Sequence, residues 1–585
     1  MKYVGSVLSL ILLLAISFAC QQQNTSEPAK GSGVFLNQIG FYVGAPKIAI
    51  IRGATAEKFT VVDLNSNKAV FEGQLGESNQ SSFGNYTTRA ADFTILDRPG
   101  SYVIQAAGLA DSYPFEIEPN VLNEVSKASI KGFYYQRMSV GLPEIYAGKW
   151  ARAAGHPDTA VFVHPSAATS ERPAGFKLSA PKGWYDAGDY NKYIVNSGIT
   201  MGTLLSAYED FPAYYSELDL NIPESNNDIP DLIDETLRNL RWMLRMQDTD
   251  GGVYHKLTTA KFEGMVMPEN ASNKRWVVQK STTATLDFAA VMAQGGRVFA
   301  NFESQLPGLA DSCLTASKKA WKWAQQNPEV LYNQNEINMA YDPDITTGAY
   351  GDKSVSDEFI WAACELYIST GDEAYYSAIN LFPDDNLSLP SWGNVRLMGY
   401  YSLARFINKL PHTSFSEITP LRAQLINFAD GLLNGSAAWQ TVMGGSEKDF
   451  VWGSSAVAAN QGVALLQTYR LTNDKKYLEG ALSNMDYLLG RNATGYSFVT
   501  GHGDKTPMHP HHRPSVADGI DEPVPGLLSG GPNPGQQDGC EGYSSNIPDE
   551  SFVDADCSYA SNEIAINWNA PLVYLLGAME VLYNN

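Results

Sequence analysis

Two carboxylates stand three residues apart, Asp186 and Asp189, in the stretch Lys182-Gly183-Trp184-Tyr185-Asp186-Ala187-Gly188-Asp189-Tyr190-Asn191-Lys192-Tyr193. Carboxylates in such a turn can bind a metal, cap a helix or move a proton. The aromatic rings around them offer flat apolar faces to a sugar ring. The plain alternative is a surface turn, since Asp and Gly favour turns in any protein. A third carboxylate, Glu563, lies in Ser558-Tyr559-Ala560-Ser561-Asn562-Glu563-Ile564-Ala565, just ahead of the last apolar stripe. There Pro571 suits the first turn of a helix, with Asn569 as its cap. Seen alone, Glu563 would be a solvated or capping residue.

Between these motifs lies a run that concentrates imidazoles. Four of the chain's eight histidines fall between His502 and His512, the last two in Pro510-His511-His512-Arg513-Pro514. Zinc is the rival reading, since His is its common neutral ligand. Adjacent histidines on an extended, Pro-bounded segment point in different directions, however, and no His-x-x-x-His spacing accompanies them. The other reading has His511 and Arg513 on one side of the segment, donating to substrate hydroxyls and steadying a carboxylate.

Together these residues suit the cleavage of a sugar acetal. That reaction needs a protonated carboxyl at the leaving oxygen and a second carboxylate for water or direct attack. Glu563 is the expected acid, its pKa raised by apolar neighbours such as Trp568 and by the charge of Asp186 or Asp189. One Asp would take the proton from water while the other holds that water.

The elements that must position these groups fall into two parts. From Val34 to Ile117, short runs such as Ile48–Ile51, Phe59–Val62, Ala69–Phe71, Phe93–Leu96 and Ser101–Ile104 are separated by Asn/Gly/Pro turns. Their spacing suggests a β-sandwich of immunoglobulin-like size over 34–118 that braces the remainder. From 121 to 585 the apolar period is helical. Ile229, Ile233, Leu237, Leu240 and Leu244 form one stripe, opened by Asp228 as cap and Pro230 in the first turn. Similar stripes at 121–137, 196–208, 282–300, 311–325, 355–370, 394–408, 418–434, 454–472, 475–489 and 570–583 predict antiparallel helical hairpins. The long polar loops at 141–195, 249–281, 328–354 and 491–567 are where sites belong, and the first and last hold the unusual chemistry.

Composition narrows the partners. A formal net charge of −22 disfavours nucleic acid and leaves neutral polymers open. Lys2 and the apolar run Val7–Ile16, ending at Ser17-Phe18-Ala19-Cys20, read as an export signal over 1–20. Cys20 resembles the lipidated Cys of bacterial lipoproteins, with Ser17 where a Leu is usual, and 21–33 reads as a flexible tether. The expectation is an exported outer-membrane lipoprotein, facing the periplasm or the surface and touching the membrane through its lipid alone. An ordinary secretory peptide is the alternative. Cys313 and Cys364 read as buried thiols. Cys540 and Cys557 flank one Gly/Pro-rich loop and can keep a disulfide in an exported protein.

The Asp186-Ala187-Gly188-Asp189 turn, the stretch from Ser497 to Arg513, and Asn562-Glu563-Ile564-Ala565 resemble glycoside hydrolase family 9. Phe35-Leu36-Asn37-Gln38-Ile39-Gly40-Phe41 resembles the immunoglobulin-like module that precedes the catalytic domain in one branch. The resemblance covers nearly the whole chain after the signal. It implies an (α/α)6 barrel and inverting hydrolysis of β-1,4-glucans, with no cofactor required. It also implies Asp189 as general base, Asp186 as partner on the water, Glu563 as general acid, His511 and Arg513 as binding residues, and Tyr559 as a subsite wall. Trp184, Tyr185 and Trp452 are candidates for sugar stacking or for the core. Some members bind structural calcium through a pair like Asp357-Glu358 and a third Asp, which is missing near Ser391–Asn394. A helix-start role for Asp357 and Glu358 competes with this. Many members carry Asp where Ser558 stands. The sequence stops at Asn585 after its last stripe, favouring soluble or loosened glucans over crystalline cellulose.

The reading is therefore an endo-β-1,4-glucanase acting on xyloglucan, mixed-linkage glucan or amorphous cellulose. Its acid and base should stand roughly 6.5–9.5 Å apart if it inverts. An exo-acting β-glucosidase or glucosaminidase is the alternative enzyme, and would release monosaccharide alone. A non-catalytic glycan-binding lipoprotein would bind without turnover.

Overall fold

The computed structural model of the protein describes residues 33–53, 56–410 and 415–584. The expected signal, Cys20 and nearly all of the tether lie outside the described residues.

The N-terminal module is built from two sheets on one core. One sheet orders Val34–Phe35, Ile48–Arg52, Thr87–Asp92 and Ser78–Gln80 side by side. The other orders Gly40–Phe41, Phe115–Ile117, Gly100–Ala106, Lys58–Asp63 and Lys68–Gln74. Phe41, Phe59, Phe93, Tyr102 and Phe115 fill the space between them, with Ala49 and Ile51 from the first sheet. Ile50 points the other way, onto Ala438, Trp439 and Ala493 of the helical part. Both faces of Ile48–Arg52 are thus covered, which is why that strand reads as an unbroken apolar run instead of an alternating one.

One expected strand is a turn. At Phe93–Leu96 the Leu96 N–H closes on the Phe93 carbonyl at 2.9 Å, and Ile95 is 80% exposed. The Asp92 carboxylate accepts the Thr94 N–H at 2.9 Å, a local bond that ends the strand. Thr87–Asp92 takes its place, pairing Ala90 with Ile50.

The helical part carries α1 (Asn123–Tyr135), α2 (Ile194–Asp210), α3 (Asp231–Met243), α4 (Thr282–Phe299), α5 (Leu309–Gln326), α6 (Ser356–Thr370), α7 (Arg396–Phe406), α8 (Phe415–Leu432), α9 (Ser454–Thr472), α10 (Lys475–Leu488) and α11 (Ile566–Tyr583). Each answers to one predicted stripe. The packed neighbours run α2, α4, α6, α7, α8, α9, α11 and back to α2, while α3, α5 and α10 lie against α2, α4 and α9. Two helix starts differ from expectation. Pro230 occupies the cap position of α3 in an extended conformation and Asp228 makes no cap. Helix α11 begins at Ile566, so Pro571 lies inside it and Asn569 caps nothing; the Asn569 amide instead donates to the Ser129 carbonyl at 2.6 Å.

A small sheet among these helices has no counterpart in the sequence reading. It orders Lys177–Leu178, Val161–Val163, Arg275–Val277, Lys256–Thr259 and Lys192–Tyr193. Strands of two to four residues, such as the wholly buried Lys256–Thr259, are too short to show a period. The last strand joins the Asp-Ala-Gly-Asp turn to α2.

The module and the helical part share polar contacts as well as apolar ones. Asn37 donates to Asp486 at 3.0 Å, and Tyr42 donates to Glu580 at 2.7 Å. Gln38 accepts from Lys505 N–H at 2.8 Å and donates to the Gly495 carbonyl at 2.8 Å, gripping the loop that leads to His511.

Candidate active site

The Asp turn is tied at both ends. Before it, Tyr185 N–H donates to the Gln136 carbonyl at 2.8 Å, beyond the end of α1. After it, Tyr193 leads straight into α2. The Asp186 N–H closes on the Asn191 carbonyl at 3.1 Å, and Arg275 donates to the Tyr190 carbonyl at 2.7 Å. Asn191 works in two directions: its amide donates to Asp189 Oδ2 at 2.6 Å, and its oxygen accepts Thr259 N–H at 2.9 Å from the small sheet. Tyr193 adds a second donor to Asp189 Oδ2 at 3.0 Å.

Asp186 is more secluded. Its Oδ2 accepts from Asn196 at 2.9 Å, in the first turn of α2, and from Tyr350 at 3.4 Å. Its Oδ1 is buried without a protein partner among the described residues. Burial, and then the neighbouring charge of Asp189, push the Asp186 carboxyl well above the usual range.

The segment holding Glu563 lies directly against this turn. Ala187 and Ala565 form an antiparallel bridge, and Ile566 N–H donates to the Asp186 carbonyl at 2.8 Å. The Gly188 N–H is directed at the Glu563 carboxylate. On the other side, Glu563 bridges in parallel to His511, and Gly530 N–H donates to the Glu563 carbonyl at 2.9 Å. Burial, then Asp189, with Asp186 adding, drive the Glu563 carboxyl well above the usual range; Arg513 and the Gly188 N–H oppose them. A carboxyl pushed toward its protonated form beside two further carboxyls has the makings of an acid and base pair.

Gly188 must be glycine here, because a Cβ at that position would fall on the His511 carbonyl. Arg513, expected to donate to a substrate, holds backbone with two of its donors. Its Nη1 donates to the Gly188 carbonyl at 2.7 Å and its Nε to the Glu263 carbonyl at 3.0 Å. It still acts on a carboxylate, through its charge on Glu563. His511 bonds the Asp556 carbonyl through Nδ1 at 2.6 Å. His512 turns away from it, to Gln136 at 3.0 Å and Ser515 at 2.9 Å, so the two imidazoles do not share a ligand.

The aromatic candidates divide. Trp452 is 43% exposed and lies 5.4 Å from the Tyr559 ring, which is 5.7 Å from His511. Trp184 and Tyr185 have no face to offer a sugar, being 1% and 0% exposed. Trp184 packs on Phe133 at 4.8 Å, and Tyr185 stands between His156 and Tyr190. Ser558 is reached by a carboxylate from elsewhere: Asp538 Oδ2 accepts from Ser558 at 2.9 Å, from Tyr543 at 2.8 Å and from Ala560 N–H at 3.0 Å. Cys540 and Cys557 are joined in a disulfide across that loop, with Cα atoms 5.4 Å apart. Cys313 and Cys364 are buried free thiols.

Several residues of the site had no signal of their own in the sequence. Tyr350 comes from the 328–354 loop, in which no chemistry was visible. Asn191 and Asn196 flank the motif at spacings that any loop and helix could show. Lys256 is buried under Tyr193, its ammonium 5.6 Å from that ring and donating to Gln334 and to the Gly348 carbonyl.

Among the described residues no three His, Cys, Asp or Glu side chains are arranged to hold a metal ion. Asp357 and Glu358 do stand in the first turn of α6, as expected, and Asp357 accepts the Val395 N–H at 2.8 Å. Glu358 and Asp287 keep both carboxylate oxygens buried and unpartnered, as does Asp352 with one and Asn394 with its amide oxygen. Burial and the mutual charges of this group raise the carboxyls of Asp287, Asp352 and Glu358.

Comparison with known proteins follows the same division of the chain. The model of glycosyl hydrolase family 9 matches residues 123–576, and that of the cellulase N-terminal ig-like domain matches 29–111. A xyloglucan-specific endo-β-1,4-glucanase of Bacteroides ovatus is 46% identical over 586 residues, covering 100% of this chain and 99% of that protein. Endoglucanase D of Acetivibrio thermocellus is 32% identical, covering 95% of this chain and 84% of its own length. A solved family 9 structure from Bacteroides ovatus superposes with a TM-score of 0.90 at 46% identity, over 94% of this chain and 100% of that one. A thermostable endoglucanase from Alicyclobacillus acidocaldarius does so at 0.83 and 31% identity, over 94% and 99%.

Proposed function

The chain belongs to glycosyl hydrolase family 9 and is an endo-β-1,4-glucanase, and from that premise we propose that it hydrolyses xyloglucan with inversion, by Asp186, Asp189 and Glu563. The observation that carries the residue assignment is the pairing of Ala187 with Ala565, which sets the Asp turn against the acid's segment. Glu563 protonates the glycosidic oxygen as that bond breaks. Asp189 takes a proton from water as its oxygen bonds to the anomeric carbon, and the unpartnered Oδ1 of Asp186 holds that water. Asn191 and Tyr193 fix the rotamer of Asp189. Xyloglucan is put first because of the relative that is 46% identical along the whole chain. Mixed-linkage glucan and amorphous cellulose follow. The closed series of helices supports an (α/α)6 barrel.

The test is a screen of the purified enzyme against the three glucans. Viscosity should fall well before reducing sugar accumulates, and proton NMR should show the α-anomer first. Monosaccharide alone would mean exo attack, and a β-anomer first would overturn inversion.

Two further readings belong here. Cys20 would carry the lipid of an exported lipoprotein, supported by the apolar run before it; loss of membrane association in Cys20→Ser tests this. Calcium is the other: the buried, unpartnered oxygens of Asp287, Asp352, Glu358 and Asn394, with Asp357 among them, are an all-oxygen set that suits a hard cation, although no three of the carboxylates already converge on one point, so binding would have to draw them together. Its chemistry would be structural, neutralising carboxylates that otherwise repel. Calorimetric melting in EDTA against calcium reads it, and a midpoint indifferent to calcium would refute it.

A further inference from the structure

The strands Lys256–Thr259 and Arg275–Val277 form a hairpin whose connection, residues 260–274, reaches the catalytic turn. It is held along its length. Thr259 N–H binds Asn191 at the base, Arg513 binds the Glu263 carbonyl, and Tyr190 donates to the Val266 carbonyl at 2.6 Å. Gly155 lies so close to Pro268 that a Cβ there would clash with its backbone. On this braced loop Phe262 is 47% and Met265 37% exposed.

One exposed Phe asks for no explanation in a globular protein. Phe262 differs because the guanidinium that grips Gly188 also lies over its ring, 5.7 Å from the centre. Contacts therefore run in series from Trp452 through Tyr559, His511, Gly188 and Arg513 to Phe262, with the catalytic turn in the middle. The aromatic rings under the turn, Tyr185, Tyr190 and Tyr193, are no more than 1% exposed. Flat faces for sugar are thus carried by loops. A loop side chain beside the catalytic turn can meet what projects from a glucan backbone, and an apolar ring with no donor suits the C–H face of a sugar.

We infer that Phe262, with Met265 on the same loop, is a specificity residue that packs against the pentosyl branches of a branched β-1,4-glucan. The inference rests on the xyloglucanase reading given above. Its test is steady-state kinetics of Phe262→Ala and Met265→Ala on xyloglucan and on unbranched mixed-linkage glucan, with melting curves to check folding. For Phe262→Ala the ratio of kcat/KM for xyloglucan over mixed-linkage glucan should fall roughly three- to tenfold, mainly through KM. Phe262→Tyr, which keeps the flat face, should restore it. Equal falls on both substrates would make Phe262 a backbone subsite and overturn the inference, as would no fall in either variant. A wild-type enzyme that cuts mixed-linkage glucan and spares xyloglucan overturns the substrate reading itself, and that result is read before any substitution is made.

Discussion

Replacing Glu563 with Gln separates the acid from everything else in the site. The amide keeps an oxygen for the Gly188 N–H, and the backbone pairing of Ala187 with Ala565 does not depend on the side chain. What disappears is a proton that burial, Asp189 and Asp186 hold on the carboxyl above its usual range. General acid catalysis is worth roughly 10²–10⁴-fold, or about 3–5 kcal/mol of barrier. Glu563→Gln should therefore lower kcat on xyloglucan by that factor. On 2,4-dinitrophenyl β-cellobioside, whose phenolate leaves without a proton, the loss should stay below about tenfold. The pH profile gives a second readout. In the wild type, activity falls as pH rises through the raised pKa of Glu563, because the deprotonated form has nothing to donate. In the variant this alkaline limb should vanish. Equal losses on both substrates, or a preserved alkaline limb, would show that Glu563 is not the acid.

Three other outcomes follow from the same contacts. Tyr193→Phe removes one of two donors on Asp189 Oδ2, so kcat should fall about five- to thirtyfold with KM steady, from about 1–2 kcal/mol for the lost bond; an unchanged kcat would free Asp189 from that restraint. Gly188→Ala drives a Cβ onto the His511 carbonyl and should cost about 1–3 kcal/mol of overpacking, read as a lower melting midpoint together with lost activity. Burial alone would raise the Asp210 carboxyl, but Arg405 and Arg470, with Tyr574, hold it below the usual range. Its stabilisation is complete above the unfolded value near ~3.9 and is lost as pH falls through the depressed folded value. Asp210→Ala leaves the buried Arg405 with Glu209 as its remaining carboxylate, at 3.4 Å, and should cost about 3–5 kcal/mol, with a shallower loss of stability on the acid side in denaturant titrations.

The helices were legible because a stripe such as Ile233, Leu237 and Leu240 must meet a neighbour, and that demand is local. The carboxylates were legible for another reason. Two Asp residues in a Gly turn and a Glu before a helix each have a plain structural reading alone, and only their occurrence together with the histidine-rich stretch points to one site. Direction was not legible. Trp184 and Tyr185 adjoin Asp186 in sequence yet both are buried, on different sides of the chain: Trp184 against Phe133, and Tyr185 against His156 and Tyr190. Which rings are covered is decided by the elements packed on both sides of this segment, and those lie elsewhere in the chain. Arg513 makes the same point about partners. Its type promised a fork for substrate, and the fold also uses two of its donors on backbone carbonyls, from Gly188 and Glu263. Neither carbonyl has a side-chain signature. The sequence could single out the three carboxylates that the fold brings together, since their chemistry is carried by their own atoms. It could not assign the groups that hold them, since Asn191, Tyr193, Tyr350 and Arg513 owe their roles to where the chain brings them.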